Sequence, residues 1–189
     1  MNLPVTIRHA TLDDAAAMAR LHVMTWQAAY RDMLPASFLQ SLDIAALTPG
    51  WNTEIAKTLE ADAPSHIMLA DTEHGPQGFV IFGPGREGVI APTSNPNYKL
   101  GQIYSLYVMP AFLKLGLGHA MLNAAFEELR REKYTDIYLT VLEANLAAHK
   151  FYERQGGINA NIKTTAEIGG KDVPSRAYWW ALNVPSDRW

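Results

Sequence analysis

Apolar and polar residues recur with two different periods along this chain, and the period predicts which segments form strands and which form helices. Alternating or continuously apolar stretches predict strands at 5–10, 66–72, 78–83, 101–109 and 136–142, with a closing pair at about 158–168 and 173–183. A 3.6-residue spacing predicts helices at about 13–31, 117–132 and 146–155, and a further helical region at about 36–61. Helices inserted between neighbouring strands indicate an α/β protein with a mixed sheet covered on both faces.

Glycine-rich segments supply the predicted connections. Gly75-Pro-Gln-Gly78 predicts a tight turn that joins two strands into a hairpin, and Gly169-Gly170 predicts the turn of the closing pair. The stretch 83–99 is rich in Gly, Pro and Asn and predicts a mobile loop. We find no repeat, low-complexity tract or linker, so the 189 residues predict a single domain spanning 1–189.

The segment 103–118 is where the pattern predicts an anion-binding site. An apolar, aromatic strand ends at Pro110, a short loop leads to Gly116 and Gly118, and a helical period begins directly afterwards. Such a loop presents backbone N–H groups and the positive end of a helix dipole, and its glycines let a phosphate approach closely. A pyrophosphate is therefore expected here. The spacing does not fit a P-loop, and Met121 stands where a dinucleotide-binding G-x-G-x-x-G needs its third glycine.

A second segment follows the strand at 136–142, where Asn145 is a plausible helix cap and Gly156 a helix stop. The two segments together resemble the GNAT superfamily of acyl-coenzyme A-dependent N-acyltransferases. The glycine loop is similar to the family's pyrophosphate segment, [QR]-x-x-G-x-[GA]. The helix is similar to its Asn-x-x-Ala-x-x-x-Tyr-x-x-x-Gly segment through Asn145, Ala148, Tyr152 and Gly156. Residues 21–35 and 169–180 resemble a branch that includes polyamine acetyltransferases.

The resemblance implies a GNAT-like mixed, mostly antiparallel central sheet of six to seven strands with helices on both faces. It implies acetyl-CoA as co-substrate, held by loop N–H groups and by strands 101–109 and 136–142, which splay apart around the pantetheine arm. An N–H near Val108 is implied to bind the thioester oxygen. The implied cofactor-binding residues are Leu106, Tyr107, Val108, Leu113, Lys114, Leu115, Gly116, Leu117, Gly118, His119, Asn145 and Tyr152.

The implied reaction is direct transfer of an acetyl group to a primary amine, such as a polyamine or a peptide amine, in a ternary complex. Tyr152 is implied as the general acid that protonates the departing sulfur. The proton acceptor stays open, because the strand at 103–109 carries no acidic residue where many relatives keep a glutamate. Its candidates are Glu143, His22, His119 and a water relay. Aromatic residues are predicted to line the acceptor pocket and to attract an alkylammonium: Trp26, Tyr30, Tyr104 and Tyr178.

Two departures from the family pattern leave an alternative open. Leu113 replaces the Gln or Arg that heads the pyrophosphate segment, although Lys114 adds a neighbouring cation. The missing strand glutamate favours a non-catalytic acyl-CoA sensor or interaction module on the same fold, whereas Tyr152 favours an enzyme. A ribosome- or tRNA-directed acetyltransferase would require a basic surface that the composition does not supply.

Composition further limits the partners, the chemistry and the compartment that we expect for this chain. The formal net charge is −3 without a basic run, which disfavours nucleic acid and suits a cationic amine. The absence of cysteine excludes disulfides, thiolate metal sites and a cysteine nucleophile. No apolar stretch reaches membrane-spanning length and no signal pattern opens the chain, so the cytoplasm is the expected compartment. The resemblance also suggests a homodimer, with the apolar closing hairpin as its interface.

Overall fold

The computed structural model describes residues 4–86, 93 and 96–182, which form seven strands and five α-helices. In chain order they are β1 Thr6–His9, α1 Ala15–Ala29, α2 Ala36–Ser41, α3 Ile44–Thr58, β2 His66–Thr72, β3 Gly75–Pro84, β4 Leu100–Val108, α4 Leu117–Arg131, β5 Asp136–Leu142, α5 Leu146–Arg154, β6 Ile158–Ile168 and β7 Lys171–Ala181. The strands are hydrogen-bonded in the order β1-β2-β3-β4-β5-β7-β6. β4 and β5 are parallel, and β1–β2, β2–β3, β5–β7 and β6–β7 are antiparallel. The predicted mixed, mostly antiparallel sheet is confirmed.

The structure corrects two of the predicted elements. The helical region at about 36–61 is two helices, because Asp43 interrupts it and caps α3 by accepting a hydrogen bond from the N–H of Ala46 at 2.8 Å. The predicted turn at Gly75–Gly78 is wrong, since β3 already begins at Gly75, which pairs with Thr72. The Thr72 hydroxyl explains the earlier turn: it accepts a hydrogen bond from the N–H of His74 and donates one to the Gly75 carbonyl, both at 3.1 Å.

The predicted loop at 83–99 is shortened at its start, because β3 continues to Pro84. Most of its remaining positions, 87–92 and 94–95, lie outside the described residues, as does the last position of the strand predicted at 173–183. None of the described helices combines the length and apolar character that a membrane crossing needs.

The chain divides into two compact units, Met1–Phe82 with Ser105–Ala125 and Gly83–Tyr104 with Phe126–Trp189. In the first unit, apolar side chains from α1, α3 and the strands form the core: Ala10, Ala15, Met18, Leu21, Ile55, Ile67, Leu69, Phe79 and Met109. Arg8 joins β1 to the start of α1, since its guanidinium donates two 2.8 Å bonds to the Asp14 carboxylate and one of 2.7 Å to Asp71. The Arg8 bonds lower the pKa of Asp14 to about 2.

The second unit is built on β5, which is buried along nearly its whole length. β5 pairs with β7 from Asp136–Ala181 to Leu142–Ser175. On its other side the parallel register with β4 comprises Leu100–Asp136, Gly101–Ile137 and Gln102–Tyr138. Ile103 and Tyr104 do not extend that register, so the ladder ends while both strands continue. This early end agrees with the splayed strands that the resemblance implies.

Candidate functional site

The loop before α4 belongs to the first unit, and its backbone conformation explains one of its two glycines. After a short 3-10 turn at Pro110–Phe112, Lys114 and Gly116 both take left-handed backbone, with φ of 63° and 90°. A φ of 90° strains any residue that carries a Cβ. No atom lies within 4 Å of a Cβ built on Gly116, so conformation rather than space requires glycine there. Gly118 has no positive φ and lies in the first turn of α4.

This loop offers several backbone donors. Within the described residues, the structure shows no acceptor for the N–H groups of residues 114–118. α4 begins with the bond from the N–H of Ala120 to the carbonyl of Gly116 at 3.0 Å, so the N–H groups before it lie at the positive end of the helix. Leu113 donates only a long bond, 3.4 Å, to the carbonyl of Pro110. Leu117 is 1% exposed and anchors the loop, whose residues 113–116 are exposed. The arrangement suits an anion.

An aromatic cluster in the same unit brings together two predicted acceptor residues and one predicted cofactor residue. The hydroxyls of Tyr30 and Tyr107 lie 3.1 Å apart, and the Trp26 ring lies 5.2 Å from Tyr30 and 6.2 Å from Tyr107. Burial raises the pKa of Tyr30. Trp51 and Phe79 extend the cluster at 5.4 Å from each other. Sequence reasoning missed both, because their apolar spacing is typical of any core helix or strand.

His22 lies against this cluster without a hydrogen-bond partner. Its ring is 4.8 Å from Trp26 and 5.7 Å from Trp51, and both ring nitrogens are covered and unpaired within the described residues. Burial lowers the pKa of His22, so the imidazole is neutral at pH 7. Nε1 of Trp26 is likewise buried without a partner. Two neighbouring side chains of the cluster therefore hold unsatisfied polar atoms.

The second unit contains the Asn145 and Tyr152 segment on α5. The Asn145 side chain accepts a bond from the N–H of Ala148 at 3.1 Å, which confirms it as the N-cap. Tyr152 is 8% exposed, with its ring centroid 6.1 Å from that of Tyr178 and 6.0 Å from that of Trp180. α5 ends at Arg154, and Gly156, two residues later, takes left-handed backbone with a φ of 76°. The predicted cap is at Asn145, Tyr152 lies on the predicted helix, and the glycine predicted to stop that helix follows its last residue closely.

The other predicted acceptor residues, Tyr104 and Tyr178, also lie in the second unit, and both hydroxyls already have partners. Tyr104 donates to the carbonyl of Pro84, and burial, with a smaller effect of neighbouring tyrosines, raises its pKa to about 12. Tyr178 is 1% exposed, and its hydroxyl lies between His149 and Glu153. Neither tyrosine is a member of the Trp26, Tyr30 and Tyr107 cluster.

The candidate bases differ in exposure and in the hydrogen bonds that their polar atoms already form. Glu143 accepts a 2.9 Å bond from Nε of Arg176, and both side chains are part-exposed. His119 is exposed, with Nε2 3.0 Å from the Asn123 amide. In the part of the chain that the structure describes, no group of His, Asp and Glu side chains is arranged to hold a metal ion.

Sequence comparison links this arrangement to known enzymes. A model of the Acetyltransferase (GNAT) family matches residues 25–157, well over half of the chain. The uncharacterized N-acetyltransferase YuaI of Bacillus subtilis is 28% identical over 142 residues, covering 75% of this chain and 73% of YuaI. A stretch of 112 residues is 32% identical to the mycothiol acetyltransferase of Geodermatophilus obscurus, covering 56% of this chain and 34% of that protein.

Solved structures share the fold at low sequence identity. The PaiA N-acetyltransferase of Thermoplasma acidophilum, determined with coenzyme A, has a TM-score of 0.67 at 16% identity and covers 92% of this chain and 98% of its own. The protein yncA of Salmonella typhimurium, determined with its cofactor acetyl-CoA, has a TM-score of 0.65 at 18% identity, and the match covers 97% of this chain and 96% of yncA. At such identities the likeness establishes the fold.

Proposed function

Because the chain belongs to the acetyltransferase (GNAT) family, we propose that it transfers the acetyl group of acetyl-CoA to a primary amine by direct attack in a ternary complex. It is an N-acetyltransferase, and acetyl-CoA is its co-substrate. The acceptor is a small-molecule amine such as a polyamine, or a peptide amine. The observation that carries the proposal is the loop at 114–118, whose N–H groups have no acceptor among the described residues.

The loop binds the pyrophosphate of acetyl-CoA through backbone donors. An N–H group binds a phosphate oxygen whatever its side chain, so Leu113 in place of Gln or Arg is tolerated. Lys114 adds an exposed cation beside the donors. Leu106, Tyr107 and Val108 of β4 bind the pantetheine arm through their backbone, and so does Asn145 through its side chain. The N–H near Val108 then stabilises the oxyanion as the single donor.

Tyr152 supplies the proton that the leaving group needs. The amine nitrogen attacks the thioester carbonyl carbon, the C–S bond breaks, and the thiolate takes the phenolic proton. A phenol with an ordinary pKa near 10 is protonated at neutral pH, and general acids of this kind contribute roughly 10²–10⁴-fold to rate. No covalent acyl-enzyme forms, because the chain has no cysteine and no serine in a G-x-S-x-G motif.

Water accepts the proton that the amine loses. Glu143 is paired with Arg176 and would have to give up that bond, while both nitrogens of His22 are covered by neighbouring side chains. The hydroxyls of Tyr30 and Tyr107 bond to each other. His119 is exposed and already contacts the Asn123 amide through Nε2 at 3.0 Å. A water relay therefore requires the least rearrangement of the four candidates.

The aromatic cluster of the first unit binds the acceptor. Its rings offer negative faces to an alkylammonium, and cation–π attraction is worth about 1 kcal/mol at a part-exposed ring. Trp26 and Tyr30 are both half-buried, so each keeps some surface for a ligand. A weakly acidic chain, with a net charge of −3, adds a small attraction for cations.

The closing hairpin β6–β7 provides the surface for a homodimer. β6 is the last strand in the sheet order, and its residues Ile158 and Ile162 are 50% and 37% exposed. An edge strand of this kind can pair with a second copy. Sedimentation equilibrium is expected to give a dimer that Ile162→Lys dissociates. A wild-type monomer at all concentrations would refute the dimer and leave acetyl transfer untouched.

Thiol release from acetyl-CoA tests the reaction, since a cysteine-free chain contributes no background. We expect turnover with one class in a panel of polyamines, aminoglycosides, amino acids and short peptides. Tyr152→Phe is expected to lower kcat about 100-fold. Tyr134→Phe, which removes the hydroxyl of another buried tyrosine of the same unit, is the control and should keep wild-type turnover. Equal loss in both variants, or none in Tyr152→Phe, would overturn the assignment of the acid.

A further inference from the structure

Helix α5 is attached to its unit by a chain of three polar contacts that the proposed reaction does not use. Nε2 of His149 lies 3.1 Å from the carbonyl oxygen of Leu142, at the end of β5. Nδ1 of His149 lies 2.9 Å from Oη of Tyr178 on β7, and that hydroxyl lies 3.0 Å from Oε1 of Glu153. His149 and Glu153 are one turn apart on α5. Tyr178 therefore bridges two positions on one face of the helix.

The number of protons on His149, Tyr178 and Glu153 determines how many of the three contacts are hydrogen bonds. The Leu142 carbonyl can only accept, so Nε2 of His149 carries a hydrogen. Tyr178 is a phenol with one hydrogen, because burial, and after it the bond to Glu153, raises its pKa. If His149 is neutral and Glu153 is ionised, both need that one hydrogen. All three contacts are satisfied only when the group holds one more proton, on Nδ1 of His149 or on Glu153.

We propose that His149, Tyr178 and Glu153 share this additional proton and form a proton clamp that fixes α5 against β7. In one arrangement Nδ1–H of His149 donates to Tyr178, and Tyr178 donates to the Glu153 carboxylate. In the other, the Nδ1 proton has moved to Tyr178 and the phenolic proton has moved to Glu153. The two arrangements contain the same atoms and the same net charge. Solvent can supply the proton, because His149 is half-buried and Glu153 is exposed.

The charged residues next to the clamp do not provide the hydrogen bond that the additional proton provides. Arg176 of β7 lowers the pKa of Tyr178 through its charge, but its Nε donates to Glu143 at 2.9 Å. Tyr152 contacts Tyr178 through its ring, at 6.1 Å between centroids. The two other charged residues on α5 next to the clamp, Lys150 and Arg154, are exposed and appear in no side-chain hydrogen bond of the described residues.

The clamp sets the position of both functional residues on α5. The N–H of His149 donates to the carbonyl of Asn145 at 3.1 Å, so fixing His149 also fixes the cap. Tyr152 lies between His149 and Glu153 in sequence and is packed on Tyr178. His149 is thus a positioning residue for Asn145 and Tyr152. This consequence rests on the proposed function, whereas the clamp itself does not.

Glu153→Gln separates the clamp from ordinary packing. A glutamine amide can donate to Tyr178 while Tyr178 donates to neutral His149, so every contact is satisfied without the additional proton. We measure the opening of α5 by amide hydrogen exchange across pH, corrected for intrinsic rates. Wild type is expected to open about tenfold more often once the proton is lost, which is the effect of one hydrogen bond. Glu153→Gln should show no such rise, and Tyr178→Phe should open readily at every pH.

The control is Glu127→Gln, which removes the same charge from α4, where Glu127 pairs with Arg130. It should keep the wild-type pH dependence of α5. NMR of the His149 ring nitrogens and of the Glu153 carboxyl carbon should find the additional proton on one of these two groups in the pH range where α5 is most protected. In Glu153→Gln the His149 ring should carry hydrogen on Nε2 alone. A neutral His149 ring together with an ionised Glu153 in that range, or the same pH dependence in Glu153→Gln as in wild type, would overturn the clamp.

Kinetics then test the consequence for acetyl transfer. In wild type the KM for acetyl-CoA should rise on the alkaline side together with α5 opening, and in Glu153→Gln it should stay level. An unchanged KM where α5 has opened would refute the positioning role and leave the clamp in place. Exchange and NMR results as expected, with no acetyl transfer to any amine, would refute the proposed function alone.

Discussion

His22 and Gly116 are two residues whose environment or backbone conformation makes substitution informative. His22 buries two ring nitrogens without a partner, and a buried polar group that lacks a hydrogen bond destabilises the folded state. Gly116 adopts a backbone that other residues enter only with strain. Both lie in the first unit, close in the chain or in space to residues proposed to bind the substrates. Substitution at each position should therefore change the free energy of unfolding in a different direction.

Replacing His22 by leucine should raise the free energy of unfolding at pH 7 by about 1 kcal/mol, because the unpaired nitrogens disappear. The lowered pKa of His22 means that the unfolded chain binds more protons in acid. Wild type should therefore lose stability as the pH falls below about 6.5, and part of that loss should vanish in the variant. Urea denaturation measures both effects. His74→Leu, at a side chain 62% exposed, is the control; a destabilised His22→Leu would mean that the imidazole has a partner.

Gly116→Ala should act in the opposite direction, lowering the free energy of unfolding by about 1 kcal/mol, because alanine is strained at a φ of 90°. The KM for acetyl-CoA should rise about tenfold as the loop shifts to relieve that strain. Gly50→Ala is a matched control inside α3, where no atom lies within 4 Å of the new Cβ. It should stabilise the protein by about 0.5–1 kcal/mol and leave KM alone. Equal effects of the two changes would show that Gly116 is not conformationally required.

At the scale of the structural elements, charged hydrogen bonds hold the junction of β1 and α1. Asp14 is 7% exposed and accepts bonds from Arg8 and from both the N–H and the hydroxyl of Thr11. The folded-state pKa of about 2 lies below the ordinary value of 3.8. A carboxylate with a lowered pKa stabilises the fold above its unfolded value and ceases to do so as the pH falls through the folded value.

Asp14→Asn should therefore cost about 1–2 kcal/mol at pH 7, and the difference from wild type should shrink between about pH 4 and pH 2. Thermal unfolding across that range is the measurement. Asp13→Asn changes an exposed neighbouring carboxylate and should stay within about 0.5 kcal/mol of wild type at every pH. A pH-independent difference for Asp14→Asn would attribute the effect to packing or hydrogen bonding rather than to charge.

The helices and strands show how much of the fold could be predicted from the sequence. β5, α5 and the β6–β7 turn follow the predicted bounds closely, because local periodicity, a cap at Asn145 and paired glycines specify them. The β2–β3 turn was predicted to run from Gly75 to Gly78, whereas the hydroxyl of Thr72 bonds to His74 and Gly75 and places the turn before Gly75. The bonds of Tyr178 to His149 and Glu153 were not predicted, since they join positions 25 or more residues apart that no period connects.

At the scale of the whole molecule, the match to the GNAT family and the strand order of the sheet support acetyl-CoA binding. The GNAT resemblance was predicted from two short segments, and the family match confirms it. The four residues expected to line the acceptor pocket stay a prediction: Trp26 and Tyr30 lie in one cluster, whereas the hydroxyls of Tyr104 and Tyr178 bond to other groups of the second unit. Aromatic residues serve cores and pockets alike, so composition and spacing do not separate these roles.

Acetyl-CoA at 100 times its Kd should stabilise the protein by about 2.7 kcal/mol, which corresponds to a rise in Tm of roughly 5–10 °C for a chain of this size. Differential scanning fluorimetry measures the shift. Coenzyme A should act similarly, whereas pantetheine, which lacks the pyrophosphate, should give little shift at the same concentration. A full shift with pantetheine would refute the role of the loop at 114–118 while leaving binding through the strands.

His22 and Trp26 are in contact, with 4.8 Å between their ring centroids, so the fluorescence of Trp26 should report on the charge of His22. A charged imidazole quenches the emission of an adjacent indole by withdrawing electron density from its excited state, and a neutral imidazole does so far less. Because burial keeps His22 neutral at pH 7, Trp26 should emit strongly there and dim in acid. An amine that stacks on Trp26 should change the intensity and wavelength of that emission. The binding of candidate acceptors could therefore be compared by tryptophan fluorescence, without a label and without turnover.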